Sequence, residues 1–182
     1  MNCLSLVHTI LEGHVRKGDT VIDATAGRGY DTAFLCSLVG NEGKVFAFDI
    51  QEEAVESTRA LLQEKGLTAQ VIKDTHAEMA RYVKEDSVSA VVFNLGYLPK
   101  GDHRIFTQAE STKQAITAAL SLLRSGGLVC VSVYYGGDSG YEERDELANW
   151  MRTLDDKKYQ VIKVDFYNWQ KDPPFPYFIR KL

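Results

Sequence analysis

Hydrophobic and polar positions along this chain follow two rhythms, one near 3.6 residues and one of two, and they trade places repeatedly. Leu4, Val7, Leu11 and Val15 recur at helical spacing and predict an opening amphipathic helix, interrupted only by Glu12. Thr20–Asp23 reads as a short strand that stops at a glycine-rich turn. A helix around Thr32–Val39 follows, then the strand Lys44–Asp49. The next helix runs from about Glu52 to Lys65, where Gly66 supplies a C-terminal cap. Gln70–Ile72 and Ser89–Asn94 read as the third and fourth strands. Thr107–Leu123 is helical, with Ile116, Leu120 and Leu123 on one face. Gly126 and Gly127 break that helix, and Leu128–Tyr134 forms a fifth strand. Glu142–Leu154 is a further helix, and Tyr159–Phe166 pairs with Tyr177–Arg180 as a terminal antiparallel hairpin. Pro173, Pro174 and Pro176 are assigned to the connector, since proline does not fit a central strand.

Strands that alternate with helices predict an α/β fold with a mostly parallel sheet covered on both faces. The expected architecture is Rossmann-like: seven strands, ending in the antiparallel hairpin. No internal repeat, linker or low-complexity tract divides the chain, so residues 1–182 are expected to form one domain. No apolar run approaches the ~20 residues that cross a bilayer, and the broken N-terminal stretch is no export signal. A cytoplasmic protein without membrane contact is expected. Cys3, Cys36 and Cys130 show no short paired spacing, and His8, His14, His76 and His103 do not cluster with them. Neither a disulfide framework nor a metal site is expected; Cys36 and Cys130 read as buried packing.

The chemistry begins at Asp23-Ala-Thr-Ala-Gly-Arg-Gly-Tyr-Asp-Thr32, between the first strand and its helix. In open α/β sheets, ligands bind beyond the carboxyl ends of the strands where the strand order reverses. Gly27 and Gly29 let the backbone turn tightly and approach a ligand closely. Twenty residues after Gly29, Asp49 closes the second strand, where a carboxylate can grip both hydroxyls of a ribose. A dinucleotide fingerprint would carry a third glycine at position 32, which here is threonine. With acidic Asp31 where a phosphate would approach, a sulfonium ligand with an amino-acid tail suits the loop better than a diphosphate. Asp31 has a second reading as a helix cap. Asp74 and His76 follow the third strand, where an adenine edge would lie, and His76 alone also reads as a loop residue. Gln51 either bonds the ligand or begins the next helix.

Asn94-Leu-Gly-Tyr97 follows the fourth strand directly. It resembles the Asn-Pro-Pro-Tyr signature of methyltransferases acting on amino nitrogens, with Leu95 and Gly96 in place of the prolines. The other reading is an ordinary turn. No general base is assigned, although Asp102 stands nearby in sequence.

Taken together, Asp-Ala-Thr-x-Gly-x-Gly-x-Asp-Thr, Ala-Phe-Asp-Ile-Gln and Phe-Asn-Leu-Gly-Tyr-Leu-Pro-x-Gly-Asp resemble a family of small bacterial class I methyltransferases labelled rRNA methylases. The resemblance runs from about Asp23 to Asp172-Pro-Pro-Phe175. Members methylate 5-aminomethyl-2-thiouridine at the tRNA wobble position, with S-adenosyl-L-methionine as cofactor. The resemblance implies that Gly27, Gly29, Asp31, Asp49, Gln51 and His76 contact the cofactor, and that Asn94, Gly96 and Tyr97 border the methyl group and target amine. The full cofactor-binding expectation adds Asp23, Thr25, Arg28, Thr32, Asp74, Asn94 and Gly96; Asn94 and Tyr97 are the catalytic expectation. Arg28 departs from the asparagine common in the family.

Net charge is −4, but residues 157–182 carry a local +4 that leaves −8 on the remainder. That asymmetry is compatible with an RNA-contacting end and also with solvated charge. Lys100, His103, Arg104, Asn168, Trp169 and Lys171 are the candidate RNA contacts, toward an anticodon stem-loop of tRNA. A homodimer is expected from the family. The competing readings are an rRNA methyltransferase, an NAD-dependent oxidoreductase and a non-catalytic RNA-binding module.

Overall fold

The computed structural model describes residues 1–95, 109–134, 140–169 and 173–182. Helix α1 (Cys3–His14) opens with a reciprocal cap, in which the Asn2 side chain accepts from the Ser5 amide and Ser5 Oγ accepts from the Asn2 amide. Its buried stripe is Cys3, Val7, Leu11 and, just beyond the helix, Val15; Leu4 lies one position off that stripe and is exposed. Strand β1 (Thr20–Asp23), helix α2 (Tyr30–Val39), strand β2 (Lys44–Asp49) and helix α3 (Glu52–Lys65) follow. Gly66 ends α3 at φ +63°, and the Leu67 amide bonds back to the Leu62 carbonyl. After β3 (Gln70–Lys73), a short 3-10 helix over His76–Arg81, which the periodicity does not predict, leads into β4 (Val88–Leu95).

Helix α4 (Ala109–Leu122) runs straight into β5 (Leu123–Val133); the expected start at Thr107 lies outside the described residues. Leu123 already pairs with Val88, and the ladder resumes at Leu128 opposite Ala90. Gly126 and Gly127 therefore form a bulge inside β5 rather than the break between helix and strand. Helix α5 (Gly140–Met151), β6 (Tyr159–Lys163) and β7 (Phe175–Lys181) complete the chain. Pro176, expected in the connector, is the second residue of β7. Its carbonyl accepts from the Val164 amide, so its nitrogen faces the same side, just past the last residue of β6, and the missing N–H costs only the reciprocal bond at the frayed end of that ladder.

The sheet order is β3-β2-β1-β4-β5-β7-β6. Strands β1 to β5 are parallel, and β7 is antiparallel to both β5 and β6. Because successive side chains point to opposite faces, neighbours sort into two cores. Val21, Val45, Ala90, Val92 and Cys130 pack with Val7, Leu11, Leu35 and Leu62 of α1, α2 and α3. Ile22, Phe46, Val91, Phe93 and Val129 pack with Met79, Ile116, Leu120, Leu147 and Met151 on the α4 and α5 face. Helices thus cover both faces, and the strand ends at Asp23, Asp49 and Leu95 open onto one edge. Among the described residues, no helix is long and apolar enough to cross a membrane.

Candidate functional site

Strand order reverses at β1, with β2 on one flank and β4 on the other, which is where such sheets open a crevice. The loop after β1 is tied to both neighbours: the Ala26 amide donates to the Phe48 carbonyl (2.9 Å) and the Ala24 amide to the Val92 carbonyl (2.8 Å). Gly27 sits at φ +54° and Gly29 at φ +82°. A Cβ at Gly29 would meet the Thr58 Cα at 2.8 Å, so the loop depends on glycine for both its turn and its contact with α3.

Three carboxylates from this region feel one another. Asp23 is fully buried, and it accepts from the Thr25 amide (3.1 Å) and the Thr32 hydroxyl (2.6 Å). Burial, reinforced by Asp31 and Asp49, pushes its carboxyl up to about 7. Thr32 is equally buried, so Asp23 and Thr32 shape the loop and present nothing to a ligand. Asp49 is half-buried and accepts from the Gly27 amide (2.9 Å) and the Gln51 amide (3.0 Å). Each of its oxygens keeps a further lone pair for a hydroxyl.

Asp31 does not cap α2. Gly29 is the N-cap, without a side-chain bond, and the Asp31 carboxylate reaches elsewhere. One oxygen lies 2.6 Å from His8 Nε2 on α1, and the other accepts from Asn94 Nδ2 at the end of β4. The main-chain amide of Asn94 donates to Thr25 Oγ1 (2.8 Å), which fixes the strand end against the β1 loop. Among the described residues, Asn94 Oδ1 is left buried with no hydrogen-bond partner, as is Ser132 Oγ on the paired residue of β5. A buried acceptor without a donor is costly, and in a cleft it marks where a ligand N–H or O–H belongs.

Beyond β3, the Asp74 carboxylate accepts from the Tyr82 hydroxyl (2.6 Å) and the Thr75 amide (2.8 Å), which hold it below the usual carboxylate range. His76 bonds the Ala24 carbonyl through Nδ1 (3.1 Å) and meets Phe93 edge-on. A carbonyl can only accept, so Nδ1 carries the proton and Nε2 is an acceptor; burial lowers the ring's proton affinity. Arg28 lies 3.7 Å from Glu53 and Gln51 begins α3, both partly exposed. Gly96, Tyr97, Lys100, Asp102, His103, Arg104 and Lys171 lie outside the described residues. Asn168 and Trp169 are exposed after β6, a strand parallel to β5, and so stand on the same edge as the β1 loop. Trp169 stacks on Phe166 at 4.9 Å.

Sequence reasoning missed His8, Ile50 and Tyr134. The His8 contact spans 23 residues and leaves no local signal. Ile50, an apolar residue 54% exposed beside Asp49, was visible only as a hydrophobic position outside the strand pattern. Tyr134 ends β5 within range of the Asp31 charge; burial first, then Cys3 and Asp31, push its phenol up to about 12.

The sequence profile of the family described as "Putative rRNA methylase" matches residues 45–180. A chloroplastic tRNA (mnm(5)s(2)U34)-methyltransferase of Arabidopsis thaliana is 40% identical over 149 residues, 76% of this chain and 54% of that protein. The chain thus spans about half the length of that curated relative. A Clostridium thermocellum structure described as a "putative rRNA-methylase" superposes with a TM-score of 0.96 at 45% identity, covering 100% of this chain and 98% of its own. A Streptococcus mutans structure described as "a putative methyltransferase", in complex with SAH, superposes with a TM-score of 0.90 at 36% identity, covering 100% and 99%.

Proposed function

The chain belongs to the "Putative rRNA methylase" family, and from that premise we propose that it transfers a methyl group from S-adenosylmethionine to an amino nitrogen on RNA. The observation that carries this reading is the pairing of mutually interacting carboxylates with Asn94 Oδ1, a buried acceptor that has no partner among the described residues, across the same strand-end cleft. The donor set fits the cofactor. Asp49 is held by two backbone amides, with lone pairs to spare for the ribose hydroxyls, and exposed Ile50 offers an apolar face beside it. Clustered negative charge suits a cationic sulfonium with an ammonium tail and repels a diphosphate, which disfavours NAD. Bound S-adenosylmethionine supplies an electrophilic methyl group on sulfur.

The residues of the chain then hold and orient the acceptor. Asn94 Oδ1 accepts an N–H of the amine and so aims the nitrogen lone pair. Such positioning contributes several kcal/mol, up to roughly 7–11 in the best cases. Tyr97 and Gly96 border the amine in this assignment, while Gly27, Gly29, Gln51, His76, Thr25, Arg28 and Asp74 line or support the cofactor side. The acceptor we propose is 5-aminomethyl-2-thiouridine at the tRNA wobble position; the support is the Arabidopsis relative's named activity and the basic, aromatic tail. An rRNA acceptor is the second reading, favoured by the family description. Lys100, His103, Arg104, Asn168, Trp169 and Lys171 are assigned to RNA, and the enzyme to the cytoplasm as a homodimer.

Calorimetric titration with S-adenosylmethionine, SAH and NAD tests the cofactor assignment. Binding of the first two without NAD is expected. Binding of NAD alone rejects it.

A further inference from the structure

We propose that His8 is a positioning residue for methyl transfer: acting through Asp31, it fixes the side-chain amide of Asn94 so that Oδ1 faces the acceptor. The inference rests on the methyltransferase reading of the cleft, yet its geometry is independent of the substrate. A carboxylate only accepts, so His8 Nε2–H and Asn94 Nδ2–H both donate to Asp31, one to each oxygen. The amide of Asn94 is thereby given one orientation. Turned over, its oxygen would face the Asp31 carboxylate and lose the bond.

Every member of this chain is itself held. The His8 ring stacks on Phe34 of α2 at 3.8 Å and 11°, and α1 is anchored by the buried Val7 and Leu11 on either side of it. The Asn94 backbone is pinned to Thr25 Oγ1. His8 and Asp31 are largely covered, with side-chain exposures of 27% and 16%, so their bond competes weakly with water. Asp23 lies close enough to Asp31 for their charges to interact. Without the His8 proton donor, the Asp31 carboxylate is free to turn away from Asn94, or toward the ammonium tail of the cofactor. The amide then samples both orientations, and the acceptor nitrogen loses its guide. His8 touches neither methyl group nor amine in this scheme.

Four measurements decide it together. In the wild-type protein, long-range nitrogen-15 correlation spectra should show His8 protonated at Nε2, with one Asn94 side-chain amide proton strongly deshielded by Asp31. His8→Ala should lose that signature and lower kcat roughly ten-fold, leaving KM for S-adenosylmethionine within about two-fold. His8→Gln, which keeps a donor near the Nε2 position, should recover most of kcat. In an Asn94→Ala background, His8→Ala should cost nothing more. A bare Nε2 in the wild type, unchanged Asn94 amide signals in His8→Ala, a rise in KM alone, or full additivity with Asn94→Ala would each overturn the proposal. If the wild type methylates no RNA, the enzyme reading fails instead, and the spectra still decide whether His8 sets the amide.

Discussion

On the β2 and β3 side of the first strand, the oxygens of Asp23, Asp49 and Asp74 already have donors from the chain itself. On the β4 side, Asn94 Oδ1 is buried without one among the described residues, and the edge continues into exposed aromatics, with Tyr167 98% exposed and Trp169 half-exposed. The first region is finished before any ligand arrives; its carboxylates are oriented by backbone amides and lose little freedom on binding. In the proposed function, the second is completed by the acceptor. Under the proposed assignment, a cofactor common to many reactions suits the prebuilt half, while the half assigned to the acceptor keeps unmet hydrogen-bonding and stacking capacity.

The largest expected effect probes how tightly the first half is wound. Asp23 is raised from 3.8 to about 7, so the folded state keeps a proton that the unfolded chain has released. Stability from this group is therefore lost as pH rises through that window, by up to roughly 4 kcal/mol. Asp23→Asn, whose oxygen still accepts from the Thr25 amide and whose NH2 can donate to Thr32 Oγ1, should flatten the decline. Thermal unfolding at pH 5 and pH 8 reads the difference, and parallel behaviour of variant and wild type would place the Asp23 carboxyl in a less burdened site.

Next in size is the ribose grip. Asp49→Ala should weaken S-adenosylmethionine binding by roughly 1.5–3 kcal/mol, through loss of charge-assisted bonds and of the Gly27 and Gln51 anchors. Calorimetry on the folded variant measures this. Unchanged affinity would move the cofactor away from β2.

The smallest effect sharpens the second half. Trp169 packs on Phe166 and remains 49% exposed, and the proposed function assigns it to base stacking. Trp169→Ala should cost about 1 kcal/mol in affinity for an anticodon stem-loop, the low end for base stacking, without changing cofactor affinity. Equal RNA binding by both proteins would make the Phe166–Trp169 pair a packing feature only.

This division also explains what the sequence disclosed. The bounds of β1, β2 and α3 are legible because each apolar run ends on a residue with a local job: Asp23 and Asp49 at strand ends, Gly66 in a left-handed cap. The loop carrying Gly27 and Gly29 is contiguous, so its chemistry can be read from neighbours in the chain. Asp31 shows the limit. Local reasoning offers a cap or a ligand contact, whereas its actual partners, His8 and Asn94, lie 23 and 63 residues away. Leu4 and Cys3 differ by one helical position, and only packing decides which is buried. The bulge at Gly126 and the place of Pro176 in β7 likewise depend on the neighbouring strand, which local turn chemistry does not reveal.

Methyl transfer itself is the direct test of the central claim. The protein is incubated with S-adenosylmethionine and either tRNA bearing 5-aminomethyl-2-thiouridine or rRNA, and the digested nucleosides are resolved by mass spectrometry. The predicted result is the methylaminomethyl nucleoside in tRNA, strongly reduced with Asn94→Ala although that variant still binds cofactor. A methylated nucleoside in rRNA alone would contradict the tRNA assignment, and no methylated nucleoside in either RNA, from protein shown to bind S-adenosylmethionine, would contradict RNA methylation altogether.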